Sequence, residues 1–389
     1  MSHSLSRKSY FCTCHSILLA IVMTLSVSVR NVDSAEIYDL GVLTGGTTSY
    51  AFGVSADGSV VSGRSGVSSG NHAFRWTLGG GMTDLGVLSG GSNSYSYGIS
   101  GDGLVVVGDG DSSSGQRAFR WTSGGGMSSL GTLPGGTTST ATSANVDGSV
   151  VVGASTNSDS TNRAFRWTSG GGMLDLGVLA GGTFSNATGV STDGTVVVGG
   201  STSSGGLRAF RWTSADGMTS LGVLPGGSFS RATGISSDGF VIVGDSSSTT
   251  GQQAFRWTSG GGMVGLGIPA GGTSSQALAA SGDGSTVAGY YQTAGGARAF
   301  YWTASLGMVD LNTYLPTLGL DLTGWTLQGA QALSANGNTI VGYGLHNGNT
   351  RAFLVAIPEP SSLILGFCGV TVCGISALRS RRASCRIRV

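Results

Sequence analysis

One five-residue pattern recurs along the whole chain and restricts what it can fold into. Ala-Phe-Arg-Trp-Thr occupies 73–77, 118–122, 164–168, 209–213 and 254–258. It weakens to Ala-Phe-Tyr-Trp-Thr at 299–303 and to Ala-Phe-Leu-Val-Ala at 352–356. Trp76, Trp121, Trp167, Trp212, Trp257 and Trp302 follow one another at intervals of 45, 46, 45, 45 and 45 residues. A fixed period of about 40–50 residues marks repeated supersecondary units, and that length suits a four-stranded propeller blade. Stacked units share a continuous core, so the usual division of a chain this long into several domains does not apply.

The unit around residues 173–213 shows the pattern best. Residues 173–179 read as a short apolar strand, and 180–185 as a glycine-centred loop. Residues 187–191 and 195–199 read as two strands joined by Asp193-Gly194, a pair that favours a tight hairpin because both positions tolerate positive φ. Residues 208–213 form the aromatic strand. Asp-Gly recurs at Asp57, Asp102, Asp147, Asp238 and Asp283, and as Asn336-Gly337 in the last unit. With a glycine beside each and no second carboxylate at fixed spacing, these aspartates read as turn residues, not metal ligands. Along the aromatic strand Phe and Trp share one face while Arg75 and its equivalents take the other. Arg75 could pair with Asp84 and Arg166 with Asp175, but Arg120, Arg211 and Arg256 meet Ser129, Ser220 and Gly265 there. Packing of the guanidinium planes on aromatic rings is the more general expectation.

The chain enters the pattern within a unit, at residues 37–41, and leaves it within another, at 351–353. The expected architecture is therefore an all-β, seven-bladed β-propeller with kelch-like four-stranded blades. Its last blade takes three C-terminal strands and one N-terminal strand from residues 37–43, which removes the exposed sheet edge. An open β-solenoid is the alternative.

Charge and cysteine separate the ends from the body. Residues 36–356 carry 12 arginines, no lysine and 17 carboxylates. A net negative body lacks the basic footprint that nucleic-acid binding needs. All five cysteines lie at the ends, so the body holds no disulfide and no thiolate metal site. With 71 glycines but only 6 prolines and well-formed β-branched runs, the glycine belongs to tight turns and not to a collagenous or disordered chain.

Residues 1–35 read as a secretory signal: Arg7 and Lys8, then an apolar stretch over 17–29, then cleavage near Ala35 or after Ser34. The tail, 357–389, has three parts in order: Pro358-Glu359-Pro360, an apolar run over 363–378, and Arg379, Arg381 and Arg382. This tail resembles the PEP-CTERM sorting signal of Gram-negative and related bacteria. The resemblance implies processing near Pro358–Pro360 by a transient, membrane-bound exosortase-type partner, and delivery to the cell surface or extracellular matrix. Membrane contact is expected only through the two targeting segments. The body, 36–356, resembles the HAF-type bacterial extracellular repeat. The residues that carry this are His72-Ala73-Phe74, the Met-x-Asp-Leu-Gly-x-Leu-x-Gly-Gly segments and the Ser-x-Asp-Gly-x-Val-Val-Val-Gly segments. That resemblance implies a secreted or surface β-propeller and supplies no catalytic residues.

The residues themselves point away from catalysis. The body has two histidines, His72 and His346, one glutamate, Glu36, and no nucleophile elbow. Gly108-Asp109-Gly110-Asp111 reads as a surface turn. No catalytic, cofactor or metal residues are assigned. Variation between units is concentrated in the loops before the first strand and before the aromatic strand, which share one face of a propeller. They carry Tyr50, Tyr95, Tyr97, Phe184 and Phe229. The candidate ligand face is Tyr290, Tyr291, Trp325, Tyr343 and His346, near an insertion over 312–325. Aromatics with hydroxyl and amide neighbours suit stacking on sugar rings. The expected function is non-enzymatic binding of exopolysaccharide or cell-surface glycan. A structural matrix protein is one alternative, and a polysaccharide-active enzyme using paired aspartates is another.

Overall fold

The structure, a computed structural model, describes residues 35–358. It is a seven-bladed β-propeller: seven four-stranded antiparallel sheets arranged in a ring. The first blade is typical, with strands Ser49–Val54, Val60–Val67, Gly70–Thr77 and Gly81–Asp84. First strands touch their counterparts in the neighbouring blades all round, so they form the inner wall of the ring. Blade seven takes Trp325–Leu333, Thr339–His346 and Asn349–Ala356 from one end of the chain and Glu36–Asp39 from the other. The closing register runs from Glu36 opposite Ala356 to Asp39 opposite Phe353. Among the described residues no helix is long and apolar enough to cross a membrane. The one α-helix described, Leu311–Thr317, lies in the insertion before blade seven and buries Leu311 and Leu315.

The two strongest signals in the repeat are two halves of one contact. In the middle of each sheet the glycine that ends Val-Val-Val-Gly lies opposite the phenylalanine of Ala-Phe-Arg-Trp, as Gly153 does opposite Phe165. All seven phenylalanines are fully buried. A Cβ at Gly153 would stand 2.0 Å from the Thr140 carbonyl and 2.9 Å from the Phe165 ring. Only glycine leaves room for the ring, whose burial contributes about 1.5–3 kcal/mol.

The Asp-Gly segments are hairpin turns, and the serine two residues before the aspartate (Asn145 in blade three) completes them. In blade four the Ser191 hydroxyl donates to Asp193 (2.6 Å) and accepts from the Val196 amide (3.0 Å), while Asp193 accepts from the Thr195 amide (3.0 Å). The glycine that follows takes positive φ, +74° at Gly194. These turns are then linked to one another by backbone hydrogen bonds of 2.7–3.2 Å that run round the ring. Ala56 donates to Gly101, Asp102 to Val146, Val146 to Thr192, and Thr192 to Ser237. Ser237 donates to Gly282, Gly282 to Ala335, and Ala335 back to Ala56.

Two local expectations are corrected. The short apolar strand is outermost and ends early, at Gly172–Asp175 instead of residue 179. Gly177 adopts φ +79°, which no strand accommodates, and the chain drops inward so that Leu176 and Leu179 are buried. The repeated arginine does not lie on aromatic rings. Arg120, Arg166 and Arg256 each donate Nε to the carbonyl of the Asp-Gly glycine one blade on, at 3.0–3.1 Å, with Arg75 at 3.3 Å. A guanidinium with its planar donors can reach a carbonyl on the neighbouring sheet that the sheet itself leaves free. Asp84 and Asp175 are engaged three residues earlier, by His72 (2.8 Å) and Arg163 (4.0 Å), because residues 72 and 163 share their face of the strand.

Candidate binding site at the mouth of the central channel

Every first strand carries a bulge at the same place, which skips Phe52, Tyr97, Thr142, Thr188, Thr233, Leu278 and Gln331 in turn. A bulge re-aims the extra side chain. All seven of these residues line a central cavity of about 720 Å³, whose other walls are mostly glycine, alanine, serine and short aliphatic residues. In blades three to five the threonines tie blade to blade. Thr142, Thr188 and Thr233 donate to Ala187, Ala232 and Ala277 at 3.0, 3.1 and 2.6 Å. Blades one and two place rings there instead.

Two residues closer to the loop face, the two inner strands of each blade pair residues that the repeat leaves free to vary. The pairs are Tyr50 with Arg64, Tyr95 with Asp109, Thr140 with Ala154 and Asn186 with Gly200. They continue as Arg231 with Asp245, Gln276 with Tyr290, and Gly329 with Tyr343. The second member of each pair directly follows the glycine that faces the buried phenylalanine. An invariant position and a variable one are therefore adjacent, and they point to opposite faces of the same strand.

Blades seven, one and two form an aromatic cluster at this mouth. The Tyr343 and Tyr50 rings lie 5.1 Å apart across the seam of the ring, Tyr50 stacks on Phe52 at 6.2 Å, and Phe52 meets Tyr97 at 6.0 Å. The Arg64 guanidinium lies over Tyr50, Phe52 and Tyr95 at 4.7, 5.7 and 5.5 Å. Asp109 is 2% exposed; its Oδ2 accepts from Thr140 (2.8 Å) and from Gln116, while Oδ1 has no hydrogen-bond partner. Burial pushes the Asp109 carboxyl above its ordinary value. Burial and the Asp109 charge push the Tyr97 hydroxyl up to about 12. Among the described residues only three buried side-chain polar atoms lack a partner: Ser62 Oγ, Arg64 Nε and Asp109 Oδ1. All three belong to the second strands of blades one and two. Blade five has the same charges in a satisfied form: Arg231 donates Nε to Asp245 at 2.6 Å, and Gln252 donates to the other oxygen at 2.7 Å.

The five candidate ligand residues divide between two places. Tyr343 belongs to the mouth cluster, and Tyr290 belongs to the same ring of variable pairs, donating its hydroxyl to Gln276 (2.5 Å). Tyr291, the next residue on its strand, points the other way; it is 5% exposed, packs in the core and donates to Asp310 (3.0 Å). Trp325 and His346 stack on each other at 4.3 Å, and His346 pairs with Asp39 of the closing strand at 2.8 Å. Of the sorting-signal residues, Glu359, Pro360, Arg379, Arg381 and Arg382 lie outside the described residues, as does the signal segment before residue 35; Pro358 is the last residue described. Among the described residues no group of three His, Cys, Asp or Glu side chains could hold a metal ion.

No family model and no curated protein matches the chain. Solved structures do. An oligogalacturonate lyase from Vibrio parahaemolyticus is 10% identical with a TM-score of 0.55, over 83% of this chain and 94% of that one. An oligogalacturonate lyase in complex with manganese is 12% identical with a TM-score of 0.54, over 85% and 95%. TolB from Acinetobacter baumannii is 14% identical with a TM-score of 0.41 over 62% of this chain, which spans 60% of TolB. At these identities the likeness is one of fold.

Proposed function

We propose that this chain is a secreted β-propeller, sorted to the cell surface or extracellular matrix, that binds exopolysaccharide or cell-surface glycan without transforming it. The observation that carries the reading is the channel mouth over blades seven, one and two. There Tyr50, Phe52, Tyr95, Tyr97 and Tyr343 gather around one arginine in a ring that is elsewhere small or self-satisfied. Aromatic faces with hydroxyls at their edges match the alternating apolar and hydroxylated faces of a sugar. The non-enzymatic part rests on how the carboxylates other than Asp109 are used. The turn aspartates are engaged in their own hairpins, and Asp245 is engaged by Arg231 and Gln252. Surface sorting rests on the Pro-Glu-Pro, apolar and arginine segments of residues 358–382, and an exosortase-type enzyme is the transient partner they require.

The test is co-sedimentation of the purified full-length protein with the host's extracellular polysaccharide, beside a Tyr50→Ala/Tyr343→Ala variant with an unchanged melting temperature. Saturable binding lost in the variant supports the glycan reading. Equal sedimentation of both proteins, or of neither, overturns it in favour of a structural matrix role. Shortening of the polymer on incubation would replace it with an enzymatic one. For sorting, a Glu359→Ala/Pro360→Ala chain should remain membrane-bound where the parent reaches the surface.

A further inference from the structure

The mouth holds one positive and one negative side chain that the protein itself leaves incompletely used. Arg64 forms no ion pair or hydrogen bond among the described residues; its contacts are the faces of three rings, and its Nε is buried. Asp109, one blade on, is buried; its Oδ1 has no partner at ordinary hydrogen-bond distance, and the Tyr97 hydroxyl is the protein group nearest to serving it. Leaving such atoms without partners costs stability. Blade five shows that this repeat can place an arginine directly opposite an aspartate and join them, as in Arg231 and Asp245. In blades one and two tyrosines stand at those opposite positions instead, so Arg64 faces Tyr50 and Asp109 faces Tyr95. The two charges are kept from pairing and are flanked by stacking surfaces. Ser62, on the same face of the strand as Arg64, adds a third buried polar atom without a partner in the blade that carries the arginine.

We infer that the mouth is selective for acidic sugars, with the carboxylate of a uronate-type residue on Arg64 and a hydroxyl of the same or the next sugar donating to Asp109. This rests on the glycan-binding reading and narrows it to a ligand class. A guanidinium takes a carboxylate through two parallel hydrogen bonds, and it takes a sulfate by charge as well. The geometry of the pair, with an acceptor set apart from the donor, favours a ring that carries both an acid and free hydroxyls.

The experiment measures binding of the full-length protein to immobilised alginate, to carboxyl-reduced alginate, to dextran sulfate and to dextran. The proteins are the parent, Arg64→Gln, Arg64→Lys and Asp109→Asn. The expected result is saturable alginate binding that falls about tenfold to a hundredfold on carboxyl reduction and by a similar factor in Arg64→Gln. Arg64→Lys should recover part of it, and added salt should weaken it. Asp109→Asn should weaken alginate binding with its melting temperature kept, which separates a ligand contact from a structural role. Equal binding to alginate and its reduced form overturns acid selectivity while leaving the glycan reading in place. Preference for dextran sulfate over alginate overturns the carboxylate assignment in favour of a sulfated ligand. Loss of binding in Arg64→Gln together with a lowered melting temperature, with no recovery in Arg64→Lys, overturns the assignment by reducing Arg64 to a packing residue. Binding to none of the four polymers overturns both readings.

Discussion

The two ends of the central channel are built from the same strands and obey different rules. At the turn end every blade repeats one device: a serine or asparagine, a turn aspartate or asparagine, a left-handed glycine and a backbone link to the next blade. At the loop end the same strands carry arginine, aspartate, alanine, glycine, aspartate, tyrosine and tyrosine in succession at one position. At the first end the turn groups satisfy one another within the repeat or across to the next. The second holds two of the three described buried polar atoms that have no partner, Arg64 Nε and Asp109 Oδ1, with Ser62 Oγ two residues nearer the turns. Position along a strand thus separates polar groups that are satisfied locally from those that are not, and on the function proposed above the unsatisfied end is the one that meets a ligand.

The largest perturbation should come from the contact between the two ends. Phe165→Ala leaves a void over Gly153 and should cost about 3–5 kcal/mol in chemical denaturation; a cost below about 1 kcal/mol would mean that blades pack independently of their central ring. Ser191→Ala removes the acceptor for the Val196 amide and a donor to Asp193, and should cost about 1–3 kcal/mol. The corresponding change at the loop end, Asp109→Asn, should leave stability at pH 7 unchanged or raise it by up to about 1 kcal/mol while impairing binding. If Asp109→Asn destabilised as much as Ser191→Ala, the contrast between the ends would fail. Arg166→Gln, which breaks one link between blades, should cost about 1 kcal/mol.

Acid should act on the two ends with opposite sign. Hydrogen bonds from the Ser191 hydroxyl and then the Thr195 amide hold the Asp193 carboxyl below its ordinary value. The Ser285 amide and then the Ser281 hydroxyl do the same for Asp283. Their contribution is complete above the unfolded value of about 3.9 and is lost as pH falls through the lower folded values. Asp109, raised by burial, holds its proton more tightly in the folded state. Its charge opposes folding at neutral pH, and that opposition disappears as pH falls through its folded value. Denaturation measured from pH 7 to 2 should therefore show a shallower first fall in the parent than in Asp109→Asn. Identical profiles would remove Asp109 from this account.

The period and phase of the repeat were sufficient to read the ring, because 45-residue units that begin and end out of step require the two chain ends to share a blade. The outer strand was read too long, since an Asp-Leu-Gly-x-Leu run looks continuous until Gly177 turns left-handed and buries the leucines. The arginine's partner was not legible, because a carbonyl on the next blade leaves no mark in the sequence. The site was half legible. Tyr50, Tyr95, Tyr97, Tyr290 and Tyr343 stand out as departures from the repeat, but all five lie on inner strands, where the sequence places Tyr50, Tyr95 and Tyr97 in loops. Tyr291 and Trp325 stand out equally and serve the core and the ring closure. Arg64 carries no motif, and Asp109 reads as part of a surface turn although it is buried in the strand Val105–Gly110; yet a signal for both exists. With the units aligned on the glycine before them, the next column is the one that changes.

Six blades can form from neighbouring stretches of chain, but the seventh waits for residues more than 300 positions apart, as the pairing of Glu36 with Ala356 shows. Contacts of such separation are the slow ones in folding. At a synthesis rate of about 5–20 residues per second, roughly 15–65 s separate the first strand of the ring from the last. Tyr50 and Tyr343 meet across that seam. That contact therefore forms only once the last blade has been made, and a polymer of the proposed kind seated on both tyrosines would act as a clasp, drawing on its own affinity to keep the ring shut.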